Sequence, residues 1–176
     1  MSTYKMFFAG SGGQGVLLMG QMVTYAAMLE DKSATFFPSY GPEMRGGTAN
    51  CTVVVSDKDV SCPLIFESDF VVAMNLPSLI KFESTLKPGG IMLINESMIS
   101  QKAKRDDITV VEVPANKLAI ELGNERVANV VMLGAFIRAT NIVPEATIKS
   151  VIDKTIGARG AEIRDINMKA YDLWRQ

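Results

Sequence analysis

Tyr4-Lys5-Met6-Phe7-Phe8-Ala9 runs directly into Gly10-Ser11-Gly12-Gly13-Gln14-Gly15, and then into the apolar stretch Val16 to Leu29. The first six residues read as a short buried strand. The next six carry four glycines and no bulky side chain. The 14 residues after them suffice for about four helical turns. Strand, glycine loop and helix in this order give meaning to the G-x-G-x-x-G spacing of Gly10, Gly12 and Gly15. Glycines let the chain turn tightly and let a ligand approach the backbone N–H groups. The helix start adds partial positive charge, so the loop is built to meet a phosphate or pyrophosphate. The alternative is a tight turn that only packs helix on strand.

A nicotinamide cofactor would call for a carboxylate at the end of the second strand, about 20 residues beyond the loop. Glu30 and Asp31 lie near that distance, but they precede the next apolar run, Ala34-Thr35-Phe36-Phe37. That run ends in Pro38-Ser39-Tyr40. The anion loop is present and the dinucleotide signature is incomplete.

The 176 residues are enough for one domain with a real core, taken as 1–176. Eighteen basic residues against 19 acidic ones leave a net charge of −1, with no basic surplus for nucleic acid. There is no histidine, which removes the commonest general base and metal ligand. Cys51 and Cys62 are too few for an iron–sulfur cluster or a four-cysteine zinc site, and read as buried thiols of a cytosolic protein. No signal peptide or membrane-spanning run is apparent, so a cytoplasmic protein is expected. Hydrophobic content of 48%, with 11 methionines, implies either a well-filled core or apolar surface left for partner subunits or a homodimer.

Along the chain, Ala34 to Phe37 reads as strand two. Pro38 to Gly47 follows as an irregular loop with two prolines and three glycines. Loops of this length without structure of their own are often functional. Thr48 to Ser56 reads as a strand, and Val60 to Ile65 as its hairpin partner across Asp57-Lys58-Asp59. Asp69 to Met74 is a buried strand. Asn75 to Leu86 is a helix stopped by Lys87-Pro88-Gly89-Gly90. Ile91 to Ile94 and Ile108 to Val113 are further strands. Ala115 to Leu122, Val127 to Thr140, Pro144 to Ile156 and Glu162 to Trp174 are helices, the last with Ile163, Ile166, Ala170 and Leu173 on one side. The expected fold is α/β: one Rossmann-like domain with a mostly parallel sheet, helices on both faces and an antiparallel hairpin. Ligands of such sheets bind at the carboxyl ends of the strands, where both loops lie.

The glycine loop, together with Pro38-Ser39-Tyr40-Gly41-Pro42-Glu43-Met44-Arg45-Gly46-Gly47-Thr48-Ala49, closely resembles the gamma subunit of 2-oxoacid:ferredoxin oxidoreductases. Leu86 to Gly90 and Asn129 to Ala135 fit as well, so the resemblance covers the whole chain. It points first to the 2-oxoglutarate member, and the related indolepyruvate enzyme carries a similar domain. It implies an enzyme that oxidatively decarboxylates a 2-oxoacid, passes the acyl group to coenzyme A and reduces ferredoxin. The chain would be inactive alone. Its partners would be alpha and beta subunits, with or without a delta subunit. Those would hold the thiamine diphosphate and the iron–sulfur clusters, while the gamma subunit closes the active site and helps to bind coenzyme A.

Carried onto this sequence, the resemblance puts Gly10, Ser11, Gly12, Gly13, Gln14 and Gly15 against coenzyme A phosphate. Arg45, in the second loop with Gly46 and Gly47, either pairs with phosphate through its two-pronged guanidinium or braces the loop against Glu43. Glu43 faces a neighbouring thiamine site or solvent. Tyr40 stacks on adenine or packs. Single-chain relatives carry a lysine shortly after the glycine loop, where this chain has Leu17-Leu18-Met19. The competing readings are a stand-alone enzyme using NAD or S-adenosylmethionine, since Lys87-Pro88-Gly89-Gly90 also suits methyltransferases, and a purely structural module whose loops serve only docking.

Overall fold

The computed structural model describes residues 2–42, 47–60 and 62–175. Among these residues six strands form one sheet: β1 (Thr3–Ser11), β2 (Ser33–Tyr40), β3 (Thr48–Ser56), β4 (Ser68–Ala73), β5 (Leu86–Asn95) and β6 (Thr109–Val113), in the order β2-β3-β1-β4-β5-β6. The pairs β1–β4, β4–β5 and β5–β6 are parallel, whereas β3 runs antiparallel to both β1 and β2. The helices are α1 (Val16–Leu29), α2 (Leu76–Phe82), α3 (Ala115–Leu122), α4 (Ala128–Thr140), α5 (Glu145–Thr155) and α6 (Ala161–Asp172).

Alternation along the strands builds two cores. Met6 and Phe8 of β1, Phe70 and Val72 of β4 and Leu93 of β5 face one layer with α1, α3, α4, α5 and α6. Phe7, Ala9, Val71, Ala73, Met92 and Ile94 face the other, covered by Leu79 and Phe82 of α2 and by Ile99. Helix α4 is apolar all round and buried from Ala128 to Ile137, so it is a core helix rather than a surface one. Phe136 projects from it edge-on to Phe8 and Phe70, at 5.1 and 6.0 Å between ring centroids. Gly134 lets α4 approach α6 closely, since a Cβ there would collide with the carbonyl of Tyr171.

Three expectations are corrected. Val60 to Ile65 does not pair with β3, and its described residues form no strand. Both edges of β3 are already taken, by β1 and by β2, so the hairpin forms with the preceding strand instead. Strand β2 also runs through Pro38 to Tyr40, which were read as loop; as the edge strand it tolerates a proline whose missing N–H has no partner to lose. Finally, the helix after β4 ends at Phe82, where Thr85 Oγ1 donates to the Phe82 carbonyl at 2.7 Å. The Lys87-Pro88-Gly89-Gly90 stretch then enters β5 across a register shift against Ser68 and Phe70, with Gly89 at φ 78°.

The registers Ser11 with Thr48, Tyr40 with Ala49, Ala9 with Ala73 and Asn95 with Val113 bring the carboxyl ends of β1, β2, β4, β5 and β6 to one rim. The amino end of β3 joins them there. Among the described residues, no helix is long and apolar enough to cross a membrane. Several apolar side chains stand in solvent, foremost Phe66 at 88% exposure.

Candidate functional site at the glycine loop

The loop Gly10 to Gly15 sits at the centre of that rim, and its own side chains fix its path. Gln14 folds back so that its Oε1 accepts from the Ser11 N–H at 2.8 Å, while its Nε2 donates to the Met74 carbonyl at 3.2 Å. Gly10 still belongs to β1, opposite Ala49. A Cβ on it would press on Gln14 Oε1 and Met74 Cβ, at 2.6 and 3.0 Å, so glycine makes room for the turn. Gly13 and Gly15 adopt φ of 93° and 73°, values that side-chain-bearing residues rarely take. Gly15 is the cap of α1 and offers no side chain to cap the helix; its carbonyl accepts from Asn129 Nδ2 at 3.5 Å, and the first turn of the helix carries no acid.

The loop's six N–H groups therefore differ. Those of Ser11, Gly12 and Gln14 are used internally: Gly12 donates to the Gly47 carbonyl at 2.9 Å and Gln14 to the Ser11 carbonyl at 3.1 Å. Those of Gly13 and Gly15, with Val16, Leu17 and Leu18 in the opening turn of α1, find no acceptor among the described residues. These unpaired donors, at the positive end of a helix dipole, make the loop a candidate anion site.

The Gly12–Gly47 bond joins the two loops singled out in the sequence. On that side a cavity of about 470 Å³ is lined by Gly12, Gly13, Leu17, Leu18, Tyr40 and Arg159. On the other side a cavity of about 370 Å³ is lined by Gly13, Gln14, Met98, Asn116, Arg126 and Asn129. Tyr40 lines that cavity beside the loop, with 60% of its surface exposed. Glu43, Arg45 and Gly46 lie outside the described residues.

Sequence reasoning missed five polar residues. Arg126 and Arg159 are exposed, flank the loop and make no ion pair among the described residues. Asn95 ends β5 fully buried, donates through Nδ2 to Asn116 Oδ1 at 2.8 Å, and leaves its own Oδ1 without a partner. Asn116 in turn donates to Glu125 Oε1 at 3.0 Å. Asn129 of α4 lies against Gly15, where a Cβ would strike its amide. The position of Asn95 at the end of a buried strand was a usable signal. The arginines arrive from the carboxyl-terminal third by topology alone.

Cys51 lies under the first turn of α1, donating to the Val16 carbonyl at 3.7 Å, and burial pushes its thiol up to about 12. Cys62 is exposed instead of buried, and both are free. One buried and one exposed thiol offer no seat for a cluster. Among the described residues, no group of three or more His, Cys, Asp or Glu is placed to hold a metal.

A profile of the pyruvate ferredoxin/flavodoxin oxidoreductase family matches residues 5–175. The chain is 39% identical over 170 residues to the ketoisovalerate oxidoreductase subunit VorA of Methanothermobacter marburgensis, covering 96% of this chain and 35% of that one. It therefore spans about a third of that relative. It is 35% identical over 173 residues to the 2-oxoglutarate synthase subunit KorC of Methanocaldococcus jannaschii, covering 96% of this chain and 92% of that one. Among solved structures, the gamma subunit of a keto/oxoacid ferredoxin oxidoreductase from Geobacter sulfurreducens superposes with a TM-score of 0.80 at 29% identity, over 97% of this chain and 95% of that one.

Proposed function

Since the chain belongs to the pyruvate ferredoxin/flavodoxin oxidoreductase family and is of the gamma-subunit type, we propose that it binds coenzyme A within a complex that oxidatively decarboxylates 2-oxoglutarate and reduces ferredoxin. The observation that carries this reading is the set of unpaired N–H groups at Gly13, Gly15 and the start of α1, flanked by Arg126 and Arg159. Those groups match the phosphates of coenzyme A: several donors and a helix dipole for the pyrophosphate and a cation on each side of it, with no carboxylate in the first helical turn. Near full-length correspondence with a 2-oxoglutarate synthase subunit supports 2-oxoglutarate as the oxoacid.

Alpha and beta subunits, with or without delta, are the proposed partners. They hold the thiamine diphosphate and iron–sulfur clusters that supply decarboxylation and electron transfer. This chain holds the acyl acceptor by its phosphates and orients it toward the partners. Gln14 keeps the loop rigid through Ser11 and Met74, so the donors are fixed before the ligand arrives.

The test is anaerobic purification of the tagged chain from its own cells, followed by assay of 2-oxoacid- and coenzyme A-dependent reduction of a viologen dye. Copurifying subunits with that activity are expected; a chain that comes down alone and inactive overturns the assignment. Gly13→Asp and Gly13→Asn then separate charge from shape. A Cβ at Gly13 meets nothing within 4 Å, and both variants bear the same backbone strain. The aspartate is expected to raise the KM for coenzyme A at least about tenfold over the asparagine, because it replaces attraction by repulsion beside the phosphates.

A further inference from the structure

The geometry points to a fixed polarity for the ligand on the glycine loop: the nucleoside end with its extra phosphate lies toward Arg159 and Tyr40, and the amide-bearing arm runs past Asn129 and Asn116. This rests on the coenzyme A reading above and extends it to specificity. A pyrophosphate on Gly13 and Gly15 leaves two ways out, one through each flanking cavity, and the two differ in chemistry.

The cavity of about 370 Å³ shares Met98, Asn116 and Glu125 with a larger groove of about 770 Å³, so the two form one long path over the ends of β5 and β6. That groove is lined by four carboxylates, of Glu96, Glu112, Glu121 and Glu125, against two ammonium groups, of Lys102 and Lys117. Such a surface repels a further phosphate. It begins with side-chain amides: Asn116, and Asn129 whose Oδ1 has no donor among the described residues. A neutral chain with its own amide groups suits this path in charge and in hydrogen bonding.

The cavity of about 470 Å³ is the opposite. Among the described residues, its only charged lining residue is Arg159, in the short turn between α5 and α6, and its walls include Leu17, Leu18 and the exposed ring of Tyr40. An aromatic face and apolar walls accept a purine, and the guanidinium accepts the phosphate on its ribose. Arg159 is thus a specificity-determining residue, whereas Arg126, on the arm side, adds charge near the pyrophosphate without reading the third phosphate.

The experiment uses the assembled complex purified with the tagged chain, and measures KM for coenzyme A and for dephospho-coenzyme A, which lacks the ribose phosphate. In the wild type, dephospho-coenzyme A is expected to have a KM about tenfold higher or more, the worth of one charge-assisted contact. Arg159→Gln should raise the KM for coenzyme A alone and bring the ratio near one; Arg159→Lys, which keeps the charge, should retain most of it. Arg126→Gln should raise both KM values alike and leave the ratio. Arg159 is exposed, so these substitutions leave the core untouched. The polarity is overturned if the wild type shows no discrimination, if the ratio survives Arg159→Gln, or if it collapses in Arg126→Gln. A complex in which Gly13→Asp moves neither KM defeats the coenzyme A reading itself. One in which Gly13→Asp moves both while Arg159→Gln moves nothing defeats only the polarity.

Discussion

The Arg138 guanidinium lies 4.8 Å from the ring centroid of Tyr171 and donates to the carbonyl of that same residue at 2.9 Å. Its Nη1 also donates to the Trp174 carbonyl at 2.9 Å, and its Nη2 pairs with Glu145 and Asp172 at 2.9 and 3.2 Å. One cation of α4 therefore satisfies the open carbonyls at the end of α6 and ties in α5. Arg138→Met keeps the stem's packing and removes the donors. It is expected to lower stability by about 2–3 kcal/mol, in the range for bonds to a charged group, as read by urea unfolding of the purified chain. A loss under about 0.5 kcal/mol would reduce this cluster to an ordinary surface ion pair.

Gly134 faces the same junction from one turn away. Its missing Cβ is the space taken by the Tyr171 carbonyl, and a backbone carbonyl cannot move aside as a flexible side chain would. Gly134→Ala is expected to cost at least about 1–3 kcal/mol despite the better helix propensity of alanine. The measurement is the urea midpoint beside that of Gly123→Ala. That position has open space around it and costs only the strain of its φ of 99°.

Gln14→Glu tests the loop's rigidity. The carboxylate can still accept from Ser11, but the atom that donated to the Met74 carbonyl becomes a second oxygen facing it. The loop should lose its anchor on Met74, just past β4, while gaining negative charge beside the candidate anion site. A rise of at least about tenfold in the KM for coenzyme A is expected. An unchanged KM would show that the Gln14 bridge does not shape the site.

The two cysteines separate on reactivity and on pH. At neutral pH a thiol reagent should modify Cys62 quickly and Cys51 only after unfolding. Burial raises the Cys51 thiol from an ordinary 9.0 to about 12. Below pH 9 both folded and unfolded chains keep that proton. Between 9 and 12 the unfolded chain releases it and the folded chain does not, so stability falls as pH rises through that window. Cys51→Ala should flatten this alkaline decline by up to about 1.4 kcal/mol per pH unit. The slope rather than the absolute stability is the readout, because the variant also leaves a small void.

Much of the candidate site's geometry was legible because its signals are local. Glycines at fixed spacing between a buried strand and a helix mark a tight turn, and connections that leave the carboxyl ends of neighbouring strands share a rim. Three things depended on tertiary structure. The partner of β3 could not be told from Val60 to Ile65, since either segment is extended enough; occupancy of both β3 edges decided it. This arrangement also places β3 between β1 and β2, so the residue ending β2 is not beside the glycine loop's own strand, as the nicotinamide pattern requires. In α6 the apolar stripe predicted burial of Ile163 and Leu173, yet both are exposed. Asn167 is buried instead, donating to the Ile163 carbonyl at 2.7 Å, beside Ala170 and Tyr171. Arg126 and Arg159 carried no local signal, because an isolated arginine in a polar turn gives no hint of what lies across from it.

The antiparallel placement of β3 has an evolutionary reach as well. A hairpin whose inner strand, β3, is held by a ladder on each side can lengthen or shorten at its tip without disturbing any other pairing in the sheet. Closing a longer tip costs only about 0.6 kcal/mol per doubling of its length. The rim is thus assembled from a glycine loop whose spacing is rigid and a neighbouring turn whose size is free to drift. Descendants of this fold can vary the length of that connection while leaving the glycine loop as it is.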